Sequence, residues 1–371
     1  MDVTIPRSAL IELAKHGAQI APAKSPSGIL THVRVEARAG KVTLRATDHC
    51  MIYEGSRAAV VDAPGCICIP ARTLRDVAMV LHEGDVRVTR KGSSVTLATG
   101  KRRFTLPILD GEDYPTVAHA PGAGLVLDAH ALAATLRRTH YAQGTAAAKY
   151  QLAATRLTVH GTEVHAEATD GHRAARSTRD GAEGGDAAML APVAFIERVM
   201  GSLVPDGSDP AVTKARVELT AAPDRITLDV GDDRWTTLMF RDELPDPWGQ
   251  VPAHTSTVRV DRGELIDALN ATALAADNND RVVFTCEPDE RRLSLSAEVA
   301  GDRAVSDELA ATFDGDAPPR RWALNRRYAL DTLRSLECPR VDLRLIDERH
   351  PVQIADPDDA RSQVVILPMG L

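Results

Sequence analysis

The residues with the most obvious capacity for chemistry stand together near the middle of the chain, in Ala168-Thr169-Asp170-Gly171-His172-Arg173. A carboxylate beside an imidazole can serve as an acid-base pair. Such a pair needs a nucleophile or a metal to act on a substrate, and the sequence offers neither. It has no GxSxG elbow, no HExxH helix and no GxxxxGK[ST] phosphate loop. His160 and His165 lie five apart across a turn at Gly161, so they do not share a face as metal ligands would. Cys66-Ile67-Cys68 is too tight for a CxxC pair. A hydrolase or transferase using Asp170 and His172 therefore stands as the alternative, and the main reading is a tight turn at Gly171 held by side-chain hydrogen bonds. A near copy without the Gly and Arg, Thr47-Asp48-His49-Cys50-Met51, points to a repeated unit.

The elements that position these turns recur three times. Alternating runs precede both turns: Val33, Val35, Val42 and Leu44 in the first, Leu157, Val159, Val164, Ala166 and Ala168 in the second. A short strand followed by a helix opens each pass, at Val3 to Ile5, at Leu125 to Leu127 and at Val258 to Val260. In the last of these, Asp261 and Glu264 are spaced as a capping box. A second strand and helix follow in every pass, with helices reading from Arg72 to Leu81, Phe195 to Leu203 and Asn325 to Leu336. Linkers rich in Pro and Gly fall at His119 to Gly124 and at Gly249 to Thr257. The expected fold is α+β, with three similar domains at 1–121, 122–252 and 253–371, each holding two helices on antiparallel sheets.

The chain of 371 residues carries a net charge of −8, which excludes a protein that holds nucleic acid by a uniformly basic surface. Yet the apolar stripes of the helices leave Arg72, Arg75 and Arg198 pointing outward, with Lys15, Arg137, Arg327 and Arg334 outside or at the margin. An acidic protein with basic helix faces focuses positive charge on one surface. The five scattered cysteines suit reduced thiols, the N-terminus shows no basic region followed by an apolar core, and no apolar run approaches a membrane span. These features lead us to expect a cytoplasmic protein.

The motifs taken together resemble the bacterial DNA polymerase III beta subunit, the sliding clamp, over the whole chain. The most specific piece is Ala168 to Arg173. Ala46-Thr47-Asp48, Pro70-Ala71-Arg72, Arg103-Phe104-Thr105-Leu106, Leu244-Pro245-Asp246, Val352-Gln353-Ile354 and the ending Val365-Ile366-Leu367-Pro368-Met369-Gly370-Leu371 support it in order and spacing. The resemblance implies a homodimeric, head-to-tail ring of the DNA clamp fold encircling duplex DNA. It implies no catalysis, no cofactor and no metal, and it makes the DNA polymerase III alpha subunit and the clamp loader partners that dock short linear peptides. Carried over residue by residue, the peptide pocket comprises Leu152, Thr169, Gly171, His172, Arg173, Ala174, Pro245, Gly249, Gln250, Val365, Leu367, Pro368 and Met369. The DNA contacts are Lys24, Arg72, Arg75, Arg137, Lys149, Tyr150 and Arg198, and the dimer contact is Leu274-Ala275 against the strand around Leu106 of the neighbour.

The chain departs from the family at Ala174, where Leu is usual, at Gly249 and Gln250, where Arg and Val are usual, and at Gly370. A pocket of altered shape and peptide preference is expected, because each large apolar side chain lost removes contact worth roughly 1 to 3 kcal/mol. Leu274-Ala275 replaces two large apolar residues and leads us to expect a looser dimer. A diverged paralogue with one dedicated partner is the second reading.

Overall fold

Alternation of apolar and polar residues builds the strands. In His32–Arg38 and Lys41–Thr47 the residues Val33, Val35, Ala37, Val42, Leu44 and Ala46 are buried while their neighbours face outward. Ala154–His160 and Glu163–Thr169 repeat this arrangement as the expected hairpin, turning at Gly161 with φ +57°. The computed structural model describes residues 1–145, 152–203, 216–241, 243–275, 279–299 and 303–371. Its α-helices are α1 (Arg7–Ile20), α2 (Ala71–Val80), α3 (Ala129–Arg137), α4 (Val193–Leu203), α5 (Arg262–Ala271) and α6 (Arg326–Ser335). Around them run antiparallel sheets, giving the expected α+β class.

The chain divides into two compact units, Met1–His130 with Glu197–Met239, and Ala131–Ile196 with Phe240–Leu371. The middle third thus contributes to both, and strand pairing is the reason. In the first unit, Met51–Ala58 pairs with Asp233–Leu238, which fuses strands from the first and middle thirds into one nine-stranded sheet. A five-stranded sheet completes the unit and ends at Arg102–Pro107. In the second unit, Arg173–Asp180 pairs with Ser362–Ile366 within a twelve-stranded sheet.

Polar bonds fix both seams. Tyr53 donates from its hydroxyl to Asp233 Oδ1 at 2.8 Å, and Arg57 donates to both Asp233 oxygens at 3.0 and 2.8 Å. In the other unit Arg176 donates to Gln363 Oε1 at 2.9 Å, and the Ser177 and Ser362 hydroxyls lie 2.9 Å apart.

The helix pairs repeat a device as well. Arg7, the first residue of α1, donates to Ala78 O at 3.2 Å and Met79 O at 2.6 Å, satisfying carbonyls at the end of α2. Arg262, the first residue of α5, donates to Leu333 O at 3.2 Å in α6 and to Cys338 O at 2.7 Å just beyond it. The start of α5 is capped as expected, with Asp261 accepting from Glu264 N at 3.0 Å. Asn325 caps α6 by accepting from Arg327 N and Tyr328 N at 3.0 and 3.2 Å.

Candidate peptide-docking pocket and basic helix faces

The turn from Thr169 to Arg173 is closed by its own side chains. Thr169 Oγ1 donates to Arg173 O at 2.7 Å and accepts from Gly171 N at 3.1 Å. Asp170 Oδ1 accepts from His172 N and Arg173 N at 2.9 and 3.0 Å, and its Oδ2 accepts from Arg173 Nε at 3.0 Å. Gly171 takes φ +89°, a conformation that strains other residues. Both Asp170 oxygens are therefore engaged in holding the turn.

The copy at Thr47 is built bond for bond. Thr47 Oγ1 donates to Met51 O at 2.7 Å and accepts from His49 N at 3.0 Å, while Asp48 Oδ1 accepts from Cys50 N and Met51 N at 2.9 and 2.7 Å. His49 adopts φ +75° where the other turn has glycine.

What distinguishes the middle turn is Arg173. Its side chain, only 8% exposed, also donates to Asp331 Oδ2 of α6 at 2.8 Å and lies over the Tyr328 ring at 4.3 Å and the Tyr141 ring at 5.5 Å. His172 is exposed, its ring 6.5 Å from that of Tyr328 and nearly parallel to it. This anchoring sets one wall of a cavity of about 570 Å³.

Leu152, Thr169, Gly171, His172, Arg173, Ala174, Pro245, Val365 and Leu367 all line that cavity, so the structure brings together nine of the expected pocket residues. Leu367 is held there by its N–H, which donates to His172 O at 2.8 Å. Gly249, Pro368 and Met369 stand outside the lining. Gly249 is exposed in the single turn Trp248–Gln250, and Met369 N donates to Ala323 O at 2.8 Å, which draws the tail along a neighbouring strand. The Gln250 side chain lies outside the described residues.

Asp246, Pro247, Val251 and Pro351 line the cavity and were missed. The first three follow Pro245 in the stretch that leads into the Gly249 to Thr257 linker, a signal that was available. Pro351 was not legible, because only the pairing of Val352 with Ile366 carries it to Leu367. The linker is pinned by Trp248, whose ring lies under the Arg176 guanidinium at 4.3 Å and whose Nε1 donates to Glu167.

Sequence comparison settles the family. The model of the DNA polymerase III beta subunit N-terminal domain matches residues 1–118, and that of its C-terminal domain matches residues 251–370. The beta sliding clamp of Caulobacter vibrioides is 26% identical over 386 residues, covering all of both chains. That of Chlamydia trachomatis is 27% identical over 382 residues, covering all of this chain and 87% of the relative. This chain belongs to the DNA polymerase III beta-subunit family, the sliding clamps. In fold it matches the crystal structure of the DNA polymerase III subunit beta from Pseudomonas aeruginosa, with a TM-score of 0.88, 23% identity and full coverage of both chains. It also matches the DNA polymerase sliding clamp from Caulobacter crescentus, with a TM-score of 0.86, 24% identity and full coverage. Its function is that of a DNA sliding clamp, a non-catalytic processivity factor.

For a clamp, the basic helix faces are the second candidate site. Arg72 is exposed on α2 and Lys24 is exposed in the loop after α1, and neither makes an ion pair among the described residues. Arg75 pairs with Asp76 at 2.8 Å and Arg137 pairs with Glu337 at 3.1 Å, so their charges are already met. Arg198 donates to Gln19 O at 3.2 Å. Lys149 and Tyr150 lie outside the described residues.

The clamp's expected dimer residues separate. Leu274 is 69% exposed, whereas Ala275 is fully buried in the apolar core that Val258, Phe284 and Trp322 share, and Leu106 is only 8% exposed. Ala275 packs inside its own chain, so its small size removes nothing from a surface contact, and the argument for a looser dimer loses that support. Exposed Met79 and Val80, beside Arg102, add an apolar surface next to Arg102–Pro107 that the sequence reading did not anticipate.

Proposed function

We propose that two copies of this clamp close head to tail into a ring around duplex DNA, and that the 570 Å³ cavity receives short linear peptides from the DNA polymerase III alpha subunit and the clamp loader. The observation that carries the ring is the repeated seam. The strand after each Thr-Asp turn, Met51–Ala58 or Arg173–Asp180, pairs with a strand that closes the following repeat, Asp233–Leu238 or Ser362–Ile366. The corresponding strand of the third repeat, Arg303–Gly315, pairs with Arg292–Val299 along 303–310 and has no second neighbour there among the described residues. The closing strand of the first repeat, Arg102–Pro107, ends its sheet. A second copy supplies each open edge with its partner. Arg102 and Arg103 on one edge and Asp307 and Glu308 on the other complement each other in charge, with Leu274, Met79 and Val80 as apolar contacts.

The division into domains at 1–121, 122–252 and 253–371 belongs to this proposal, supported by the recurring helix pairs, seams and turns. Lys24, Arg72, Arg75, Arg137, Lys149, Tyr150 and Arg198 face the DNA in it, with Arg72 and Lys24 carrying most of the free charge. Such contacts reach phosphates and leave sequence unread, which suits a sliding ring. The cytoplasm is the proposed compartment, and no helix among the described residues is long and apolar enough to cross a membrane.

The deciding experiment loads the clamp onto a nicked circular plasmid with a clamp loader and then linearises the DNA. Retention on circles and release on linear ends is expected; equal retention on both refutes the ring. A paralogue serving one dedicated partner is the second reading, favoured by Ala174, which lines the cavity where the resemblance leads one to expect leucine.

A further inference from the structure

The docking pocket carries an uneven charge. Leu152, Ala174, Pro247, Val251 and Leu367 give it apolar walls, and the Thr169 hydroxyl is spent inside the turn. Arg173 is the one guanidinium in the lining, and its charge is met by Asp170 at 3.0 Å and Asp331 at 2.8 Å. Asp246 also lines the pocket and is exposed. It accepts from Trp248 N at 2.9 Å, and no cation pairs with it among the described residues. Arg173 is therefore neutralised by two carboxylates that stand outside the lining, and Asp246 is left as the unmatched charge beside the apolar floor. Gly249, three residues on, offers no side chain to balance it, and a Cβ placed there would meet nothing within 4 Å.

We propose that the peptide this pocket selects is apolar at its anchoring positions and carries a lysine or arginine that seats against Asp246. The inference rests on the docking reading above and adds the charge of the partner to it. Apolar residues fill the walls, and a cation beside Asp246 pairs with a carboxylate whose solvation the peptide partly displaces. An acidic residue in the same place would be repelled.

The test is fluorescence anisotropy on the full chain with two labelled nonapeptides, identical except that Lys or Glu flanks a Leu-Phe pair on both sides. At low salt the Lys peptide is expected to bind about tenfold more tightly, equivalent to about 1.4 kcal/mol, and the gap should narrow as salt is raised. Asp246→Asn keeps an acceptor for Trp248 N and should abolish the gap, while Gly249→Arg should invert it. Circular dichroism and an unchanged unfolding midpoint show that both variants are folded. Equal binding of the two peptides, or a gap that survives Asp246→Asn, overturns the charge inference and leaves docking intact. Failure of both peptides to bind overturns the docking reading itself.

Discussion

Replacing the aspartate of each turn by alanine measures what Arg173 adds to an otherwise identical piece of architecture. Asp48→Ala removes an acceptor from Cys50 N and Met51 N, bonds of 2.9 and 2.7 Å in a half-exposed turn, at a cost of about 1 to 3 kcal/mol. Asp170→Ala removes the equivalent bonds of 2.9 and 3.0 Å and also one partner of an ion pair whose side chains are 8% and 13% exposed. Arg173 then keeps only Asp331 at 2.8 Å, so the expected loss exceeds that of Asp48→Ala but stays below the roughly 3 to 5 kcal/mol of a buried charge left with no partner. The assay is urea denaturation followed by Trp fluorescence in single-Trp variants, with Trp235 reporting on the first unit and Trp322 on the second. Peptide affinity should fall with Asp170→Ala and stay unchanged with Asp48→Ala. Equal destabilisation by the two substitutions, or full peptide affinity in Asp170→Ala, refutes the claim that Arg173 anchors the pocket wall.

Charge reversal separates free from neutralised cations: Arg72→Glu and Lys24→Glu should each weaken DNA retention and lower the salt slope by about one. Arg137→Glu, already facing Glu337 at 3.1 Å, should do so less, and gel-shift titrations across salt concentrations check both outcomes. In the first unit His119, 3.8 Å from Glu54, and then the Arg45 guanidinium hold the Glu54 carboxyl down at about 2, against an ordinary 4.5. A carboxyl depressed on folding stabilises fully above its unfolded value, so this contribution should vanish as pH falls from about 4.5 to about 2. Urea midpoints reported by Trp235 should therefore drop less steeply over that range in Glu54→Gln.

Elements with strict periodicity were legible in the sequence. The hairpin across Gly161, the cap at Asp261 and the outward Arg72 all depend on residues close in the chain, so local pattern specifies them. Nine of the residues named by the resemblance line the cavity, and the differences between the two sets share a cause. Met369 leaves the pocket because a backbone bond to Ala323 redirects the tail, and Pro351 enters it through a strand register. Ala275 was assigned to the dimer contact with Leu274 by the resemblance, yet a residue after a helix end faces whichever way the last turn leaves it. Seam pairing is non-local as well, which is why the middle of the chain divides between two units in space.

The twin turns show that the cavity depends on more than the Thr169 to Arg173 motif. Leu238 N donates to Cys50 O at 3.0 Å as Leu367 N donates to His172 O at 2.8 Å, so Thr236 occupies the place of pocket-lining Val365. In the first unit that place is polar and covered: His119 Nδ1 lies 2.7 Å from Thr236 Oγ1, and Ala120 N donates at 2.9 Å to Thr227 Oγ1, itself 2.8 Å from Thr236 Oγ1. In the second unit Gln353 pairs with Val365 as Thr227 pairs with Thr236, and the linker Pro245 to Val251 borders the apolar floor as a wall. One turn, used twice, therefore supports a covered seam and an open pocket. The difference lies in one strand residue, Thr or Val, and in the path of the linker. On the proposed docking reading, partner choice follows from the stretch carrying Asp246, while the Asp170 turn supplies rigidity.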